Sequence, residues 1–443
     1  MIDASRAGVR SPDVWSQRAA FLAMWLMTLI IFSAPNRESV ETLSALDPIA
    51  IIKVLARIVA LAVLGLALLR SWRGGPQHRL VLWTLTPLAL YTLFAIASTA
   101  WSPLPAVSVG QSGGLLAMVL LTAALALTCR TEEDARIVLL HLTLSLIVVC
   151  LIVVVAHIID PSLSGLTRGP LEDPDGSPGI LHPTAAGSTA SLVLTVLLAS
   201  WLLWAWRWTG RLLVPGLILA FVTLDLAVSR MAAGMALLVL GIMFLTLVPR
   251  SWFGLILVGT CTVLAVSLAV DPALDGFHAV LATGFQVVSR GDSVETMSTL
   301  TGRTELWAKI WESFLVSPIV GHGYFVTSAT GDIDVWSGPA NRTAHNVVLQ
   351  ALVSTGIVGC ALFLWGLWRP IRLFAYAFRA SQHVQQVAFF SLLVGIWFLG
   401  WGQLSESILG PVRPESVVFF TTLGLAIGSL SDQAIATADE SVR

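Results

Sequence analysis

The sequence predicts an all-α polytopic membrane protein with about twelve transmembrane helices, and three observations carry that prediction. Of its 443 residues, 56% are hydrophobic and only 12% charged, with a mean hydropathy of +0.84, a balance foreign to soluble domains. Apolar runs of about 16 to 24 residues recur from end to end, each near the length a helix needs to cross about 30 Å of hydrocarbon. Basic residues concentrate in alternate connecting segments, as the positive-inside rule requires. Helices are the expected elements because a backbone in lipid must satisfy its own hydrogen bonds.

Taken in order, the first span is expected at 19–34. Arg6, Arg10 and Arg18 precede AAFLAMWLMTLIIF in the manner of a secretory signal, but no small-residue cleavage site is evident, so the segment reads as a retained span. Further spans are expected at 48–69, 80–98, 109–128, 137–159 and 184–206. A long greasy stretch follows, and Ser229 with Arg230 divides it into spans 212–228 and 231–248. The remaining spans fall at 252–270, 346–368, 385–403 and 415–430. With a cytoplasmic N-terminus, fifteen of the 25 basic residues lie in inner segments and eight in outer ones, four of those in one long loop. Both termini are then cytoplasmic.

Two outer connections exceed simple turns. Residues 160–183 are rich in Pro, Gly and Asp, with Asp160, Glu172, Asp173 and Asp175 against Arg168, and read as a cap or lid. Residues 271–345 form the large loop. Within it Leu306, Trp307, Ile310, Trp311, Phe314 and Leu315 recur at helical spacing, predicting an amphipathic helix over 303–316 that Pro318 ends. Such a helix can lie on the outer leaflet or pack over the spans. No internal repeat or second soluble domain is evident, so 1–443 reads as a single integral membrane domain.

The composition excludes several classes. None of Cys129, Cys150, Cys261 and Cys360 falls in an outer segment, so disulfides and zinc clusters are not expected. A net charge of −1 offers no nucleic-acid footprint, and the chain has neither a glycine-rich phosphate loop nor a His-Glu-x-x-His pair.

The polar residues that need a reason gather in the outer half. Arg230 at a span boundary is either a topological hinge or an anion ligand, since a guanidinium offers a fixed fork of donors suited to phosphate. Arg303 stands at the first turn of the amphipathic helix, where free backbone N–H groups also favour an anion; the alternative is a surface pair with Glu305 or Glu312. His345 precedes span 346–368 in TAHNVVLQALVSTGIVG and is either a helix cap together with Asn346 or a proton acceptor for a substrate hydroxyl. Lys53 and Arg57 share one helical face, with Asp225 as the expected protein partner and a lipid phosphate as the alternative. His182 sits where the 160–183 loop re-enters the membrane, and Arg342 lies just ahead of His345. Glu406, Arg413 and Glu415 read as solvated loop charges, with lining the site as the alternative.

TGRTELW, SPIVGHGY and TAHNVVLQALVSTGIVG, in that order, resemble the signature block of the bacterial O-antigen ligase and polysaccharide polymerase superfamily, the Wzy-C or O-antigen ligase-like group. Ser229-Arg230 resembles that family's other basic element, and HPTAAG from His182 a further one. The block spans roughly 184–368, and a GT-C-like bundle of about twelve spans with one large periplasmic loop agrees with it. The resemblance implies cofactor-free, metal-independent glycosyl transfer at the periplasmic face of the inner membrane, from a glycan on undecaprenyl diphosphate to a glycan acceptor. His345 would act on the acceptor hydroxyl and Arg230 and Arg303 would bind the diphosphate, with Lys53, Arg57, His182, Asp225, Arg342 and Asn346 as candidate supporting residues. A flippase and a chain-length regulator are the candidate protein partners.

The acceptor separates three readings. A polymerase joins lipid-linked repeat units of O-antigen or exopolysaccharide, a ligase hands the glycan to lipid A core, and a protein O-glycosyltransferase uses a polypeptide. The outer loops present no dense basic surface for a phosphorylated lipid A core, which favours the polymerase. A lipid-linked glycan transporter is the reading from another class, but it calls for polar residues along a path to the cytoplasm, whereas these gather at one side.

Overall fold

The structure, a computed structural model, describes residues 14–33, 48–72, 76–166, 179–227, 229–247, 303–335, 338–339, 343–377, 380–405 and 407–440. The chain runs through α1 (Val14–Leu29), α2 (Pro48–Ser71), α3 (Pro76–Ala97), α4 (Pro105–Thr128), α5 (Glu132–Ile159), the short α6 (Pro161–Ser164), α7 (Pro183–Trp204), α8 (Arg207–Ala227) and α9 (Arg230–Leu247). It continues through α10 (Arg303–Val316), a two-residue hairpin of β1 (Asp334–Val335) and β2 (Gly338–Pro339), α11 (Val347–Ala377), α12 (Gln382–Trp401) and α13 (Pro414–Glu440). Among the described residues ten helices are long and apolar enough to cross a membrane. The protein is therefore an all-α polytopic membrane protein, and the expected span 252–270 lies outside the described residues.

Local chemistry sets the helix ends. Six helices, α2, α3, α4, α6, α7 and α13, open on proline, whose fixed φ suits the first turn and whose missing N–H costs nothing there. Thr131 and Asp134 close a capping box on α5, and Gln17 of α1 donates to Asp134 Oδ1 at 2.9 Å, joining the two helices. α1 is described from Val14, ahead of the expected position 19, and carries the exposed Arg18 within it. The break expected at Ser229-Arg230 is present between α8 and α9.

The last long helix is the axis of the bundle. Along Pro414–Ser431, α13 is buried almost throughout, against α3, α4, α12 and neighbouring helices. Small residues permit the close approach: a Cβ at Gly424 would meet Thr122 and Leu125 of α4 at 2.9 Å. Hydroxyls tie the contact, with Thr122 Oγ1 donating to the Phe420 carbonyl and Ser391 Oγ to that of Thr422, both at 2.9 Å. By contrast α2 turns Ile52, Leu55 and Ile58 outward, and α8 turns out Val214, Ile218 and Phe221.

The amphipathic helix α10 buries Leu306, Ile310 and Phe314 against Leu349, Leu352 and Val353 of α11. Trp311, Leu315 and Val316 remain exposed on its other side. Of the two alternatives for this helix, its contacts with α11 match packing over the spans.

Span 346–368 is not continuous as the sequence led us to expect. Gly356 takes φ 64° and ψ −169°, which breaks α11 and releases backbone groups on both sides. The SPIVGHG segment takes them up: the amides of Ile357 and Val358 donate to Pro318 and Ile319, while the carbonyls of Val353 and Ser354 accept from His322 and Gly323. The segment is pinned in turn, since Tyr324 N donates to Ser98 Oγ and Ser108 Oγ to the Tyr324 carbonyl, both at 2.8 Å.

Candidate functional site

At the end of the bundle where α7, α9, α11 and α13 begin, the TAHN stretch makes a tight corner. Asn346 caps α11: its Oδ1 accepts from the amides of Val348 and Leu349, both at 3.0 Å, and its amide nitrogen donates to the Gln403 carbonyl at 3.2 Å. Val347 N donates to the Gly402 carbonyl at 2.7 Å, binding this corner to the end of α12. The cap is thus asparagine's work. His345, one residue ahead, is half-buried, and its Nε2 lies 3.3 Å from Thr343 Oγ1.

His345 has φ 46°, in the left-handed region, a conformation worth about 1–3 kcal/mol of strain for a residue other than glycine. Its neighbours hold it there. Ala344 N donates to Gln350 Oε1 at 2.7 Å, and Trp307 Nε1 of α10 donates to the Ala344 carbonyl at 3.0 Å. Gln350 is fully buried and passes the link to Ser354, which donates to the Val326 carbonyl. Sequence reasoning missed Gln350, although a glutamine in the second turn of an apolar helix was the available signal.

Both candidate arginines stand at helix starts. Arg303 opens α10 one turn before Trp307, the residue bonded to Ala344. Arg230 opens α9, which packs on α7 and α12. Ser229 beside it lies against Gly187 of α7, and Met235 one turn on covers Gly400 of α12, two residues before the carbonyl that receives Val347. Arg230 thus stands on a helix packed on α12, and Arg303 on the helix bonded to Ala344; like His345, each is half-buried.

The other candidates divide. His182 caps α7, its Nδ1 accepting from Thr184 N at 3.3 Å, and it is exposed. Lys53 Nζ lies 3.5 Å from Ser33 Oγ, and Arg57 Nη1 donates to the Gly110 carbonyl at 3.2 Å. The expected pairing of either with Asp225 is not formed: α2 packs on α1 and α4, whereas Asp225 is exposed on α8, which packs on α7 and α5. Arg342 and Glu406 lie outside the described residues.

Glu415 corrects an expectation. It is not a solvated loop charge but 1% exposed, in the first turn of α13, with Ser188 Oγ at 3.3 Å and Arg413 Nη1 at 3.9 Å from its carboxylate. A helix N-terminus favours a carboxylate there. Tyr324 is likewise buried, and burial pushes its phenol well above the ordinary range, so it stays neutral. The concave space beside this tyrosine's segment, about 410 Å³, is lined by Trp101, Ser102, Ser317 and His322 rather than by His345 or the arginines. Among the described residues no three His, Cys, Asp or Glu side chains group to hold a metal ion.

The family profile Wzy_C, described as O-antigen ligase, matches residues 215–364. That stretch contains Arg230, Arg303, Arg342, His345 and Asn346 and leaves out Lys53, Arg57, His182 and Glu415. A search of the curated proteins finds no match. The ordered motifs, the apolar helical bundle and this match agree, and residues 215–364 are similar to the O-antigen ligase family.

Proposed function

We propose that the protein transfers a glycan from an undecaprenyl-diphosphate carrier to an acceptor hydroxyl at the periplasmic face of a bacterial inner membrane, joining repeat units of O-antigen or exopolysaccharide. The observation that carries the reading is a histidine held out of regular helix geometry at a corner bonded to α10, which opens on Arg303, and to the end of α12, on which the helix opened by Arg230 packs. An imidazole there can take the proton of an acceptor hydroxyl. The acceptor oxygen then bonds to the anomeric carbon while the bond from that carbon to the diphosphate breaks, its electron pair leaving on the diphosphate. Arg230, Arg303 and the amides of their first turns would meet the charge that develops on the leaving group. The energy of the transfer resides in the donor, so no nucleotide is required.

The polymerase is preferred to the ligase because the outer segments carry few basic residues for a phosphorylated lipid A core. Full-length protein reconstituted with an undecaprenyl-diphosphate repeat unit, with and without lipid A core, separates the two. The expected product is a ladder of longer lipid-linked chains without lipid A core. Transfer to lipid A core alone would make the protein a ligase, and no transfer to any acceptor would remove the enzymatic reading.

A further inference from the structure

We propose that Arg57 forms a second anion site, distinct from the His345 corner, which binds the phosphate of a membrane lipid in the cleft between α2 and α4. Arg57 lies nine residues into α2, about 14 Å along the helix. A guanidinium at that depth is costly without a counter-ion, and its five donors seek acceptors. Among the described residues Arg57 makes no ion pair, and its one hydrogen bond goes to the Gly110 carbonyl. Its Nε is buried with no hydrogen-bond partner. Lys53, one turn earlier on the same face, adds a second positive charge.

The facing surface of α4 is made of glycine. A Cβ at Gly110 would lie 3.7 Å from Arg57 Nη1, and one at Gly114 would lie 4.0 Å from Nε. Gly113 between them faces open space. Val412 closes the space over Gly114, so the guanidinium sits beside a shallow notch at Gly110 and Gly113, half-exposed, on the helix whose Val54, Leu55 and Ile58 form an outward aliphatic stripe. A lipid phosphate in the notch would meet the unused donors while its chain lay along that stripe. The site lies outside the region that matches the O-antigen ligase family. Two lipids carry this chemistry, a second undecaprenyl diphosphate substrate and an anionic phospholipid. The first rests on the proposed polymerase reaction, which must hold two carriers at once.

The test is native mass spectrometry and titration of full-length protein in phosphatidylcholine nanodiscs, with added undecaprenyl diphosphate or phosphatidylglycerol. Wild type should bind one more anionic lipid than Arg57→Gln, which should lose about tenfold or more in affinity at that site. Arg57→Lys should restore it in part, and Gly113→Leu, which fills the notch and spares the guanidinium, should remove it. Loss of undecaprenyl diphosphate that phosphatidylglycerol does not displace assigns the site to a carrier; displacement assigns it to a phospholipid headgroup. Arg57→Gln and Gly113→Leu that both bind each lipid within about twofold of wild type would overturn the site. Arg230→Gln is measured alongside: if it loses no undecaprenyl diphosphate, the donor clamp fails while the Arg57 assignment stands.

Discussion

At the residue scale, neighbouring side chains in the TAHN corner have separable work. Asn346 bonds two amides of α11, so Asn346→Ala should cost about 1 kcal/mol of stability, read as a lower Tm. Asn346, not His345, accepts those amides, so His345→Ala should leave Tm and donor binding near wild type while slowing transfer about a hundredfold or more. A His345→Ala protein that keeps more than about a tenth of wild-type turnover in a chemistry-limited assay would return the histidine to a purely structural place. The pair was legible in the sequence because the residues are contiguous and precede an apolar run. Gln350 was not, since its value depends on the left-handed turn at His345, and φ leaves no mark on residue type. The Asp225 pairing failed for a related reason: charge sign says who could meet, not which helices are neighbours.

At the element scale, proline was the sign of helix starts. Pro76 and Pro105 mark where α3 and α4 begin, each four residues before the start expected from hydropathy at 80 and 109, because apolar runs register lipid contact and not helix geometry. The break in α11 was hidden, since Gly356 lies in an unbroken apolar run and its partners come from a segment some thirty residues earlier. Gly356→Ala should be poorly tolerated, because the added methyl would collide with the Ile319 carbonyl and the residue would keep a positive φ. Hydrogen exchange should then speed up at the Ile357 and Val358 amides, whose acceptors are Pro318 and Ile319. Unchanged protection at both amides would mean that the segment does not clamp the break.

At the scale of the whole molecule, the apolar helical class followed directly from composition, while the order of helices in space did not. The least hydropathic of the ten candidate spans, Pro414–Ser431, is the most buried, because it meets protein where the others meet lipid. This is why Glu415 was misplaced as a surface charge. Orientation is tested by single cysteines at Ser177 and Ser328, in a Cys261→Ser background whose remaining native Cys129, Cys150 and Cys360 are buried. A membrane-impermeant maleimide should label both in intact spheroplasts. Labelling only after the inner membrane is opened would invert the proposed topology.

That central position of α13 also bears on biogenesis. Ribosomes deliver the chain from its N-terminus, so the other described helices enter the bilayer before the one they surround. Until it arrives, the Ser391 hydroxyl lacks the Thr422 carbonyl, and the faces of α3, α4 and α12 that pack on α13 lack that partner. A nascent chain that has not yet received α13 should therefore be more open to membrane proteases than one that has.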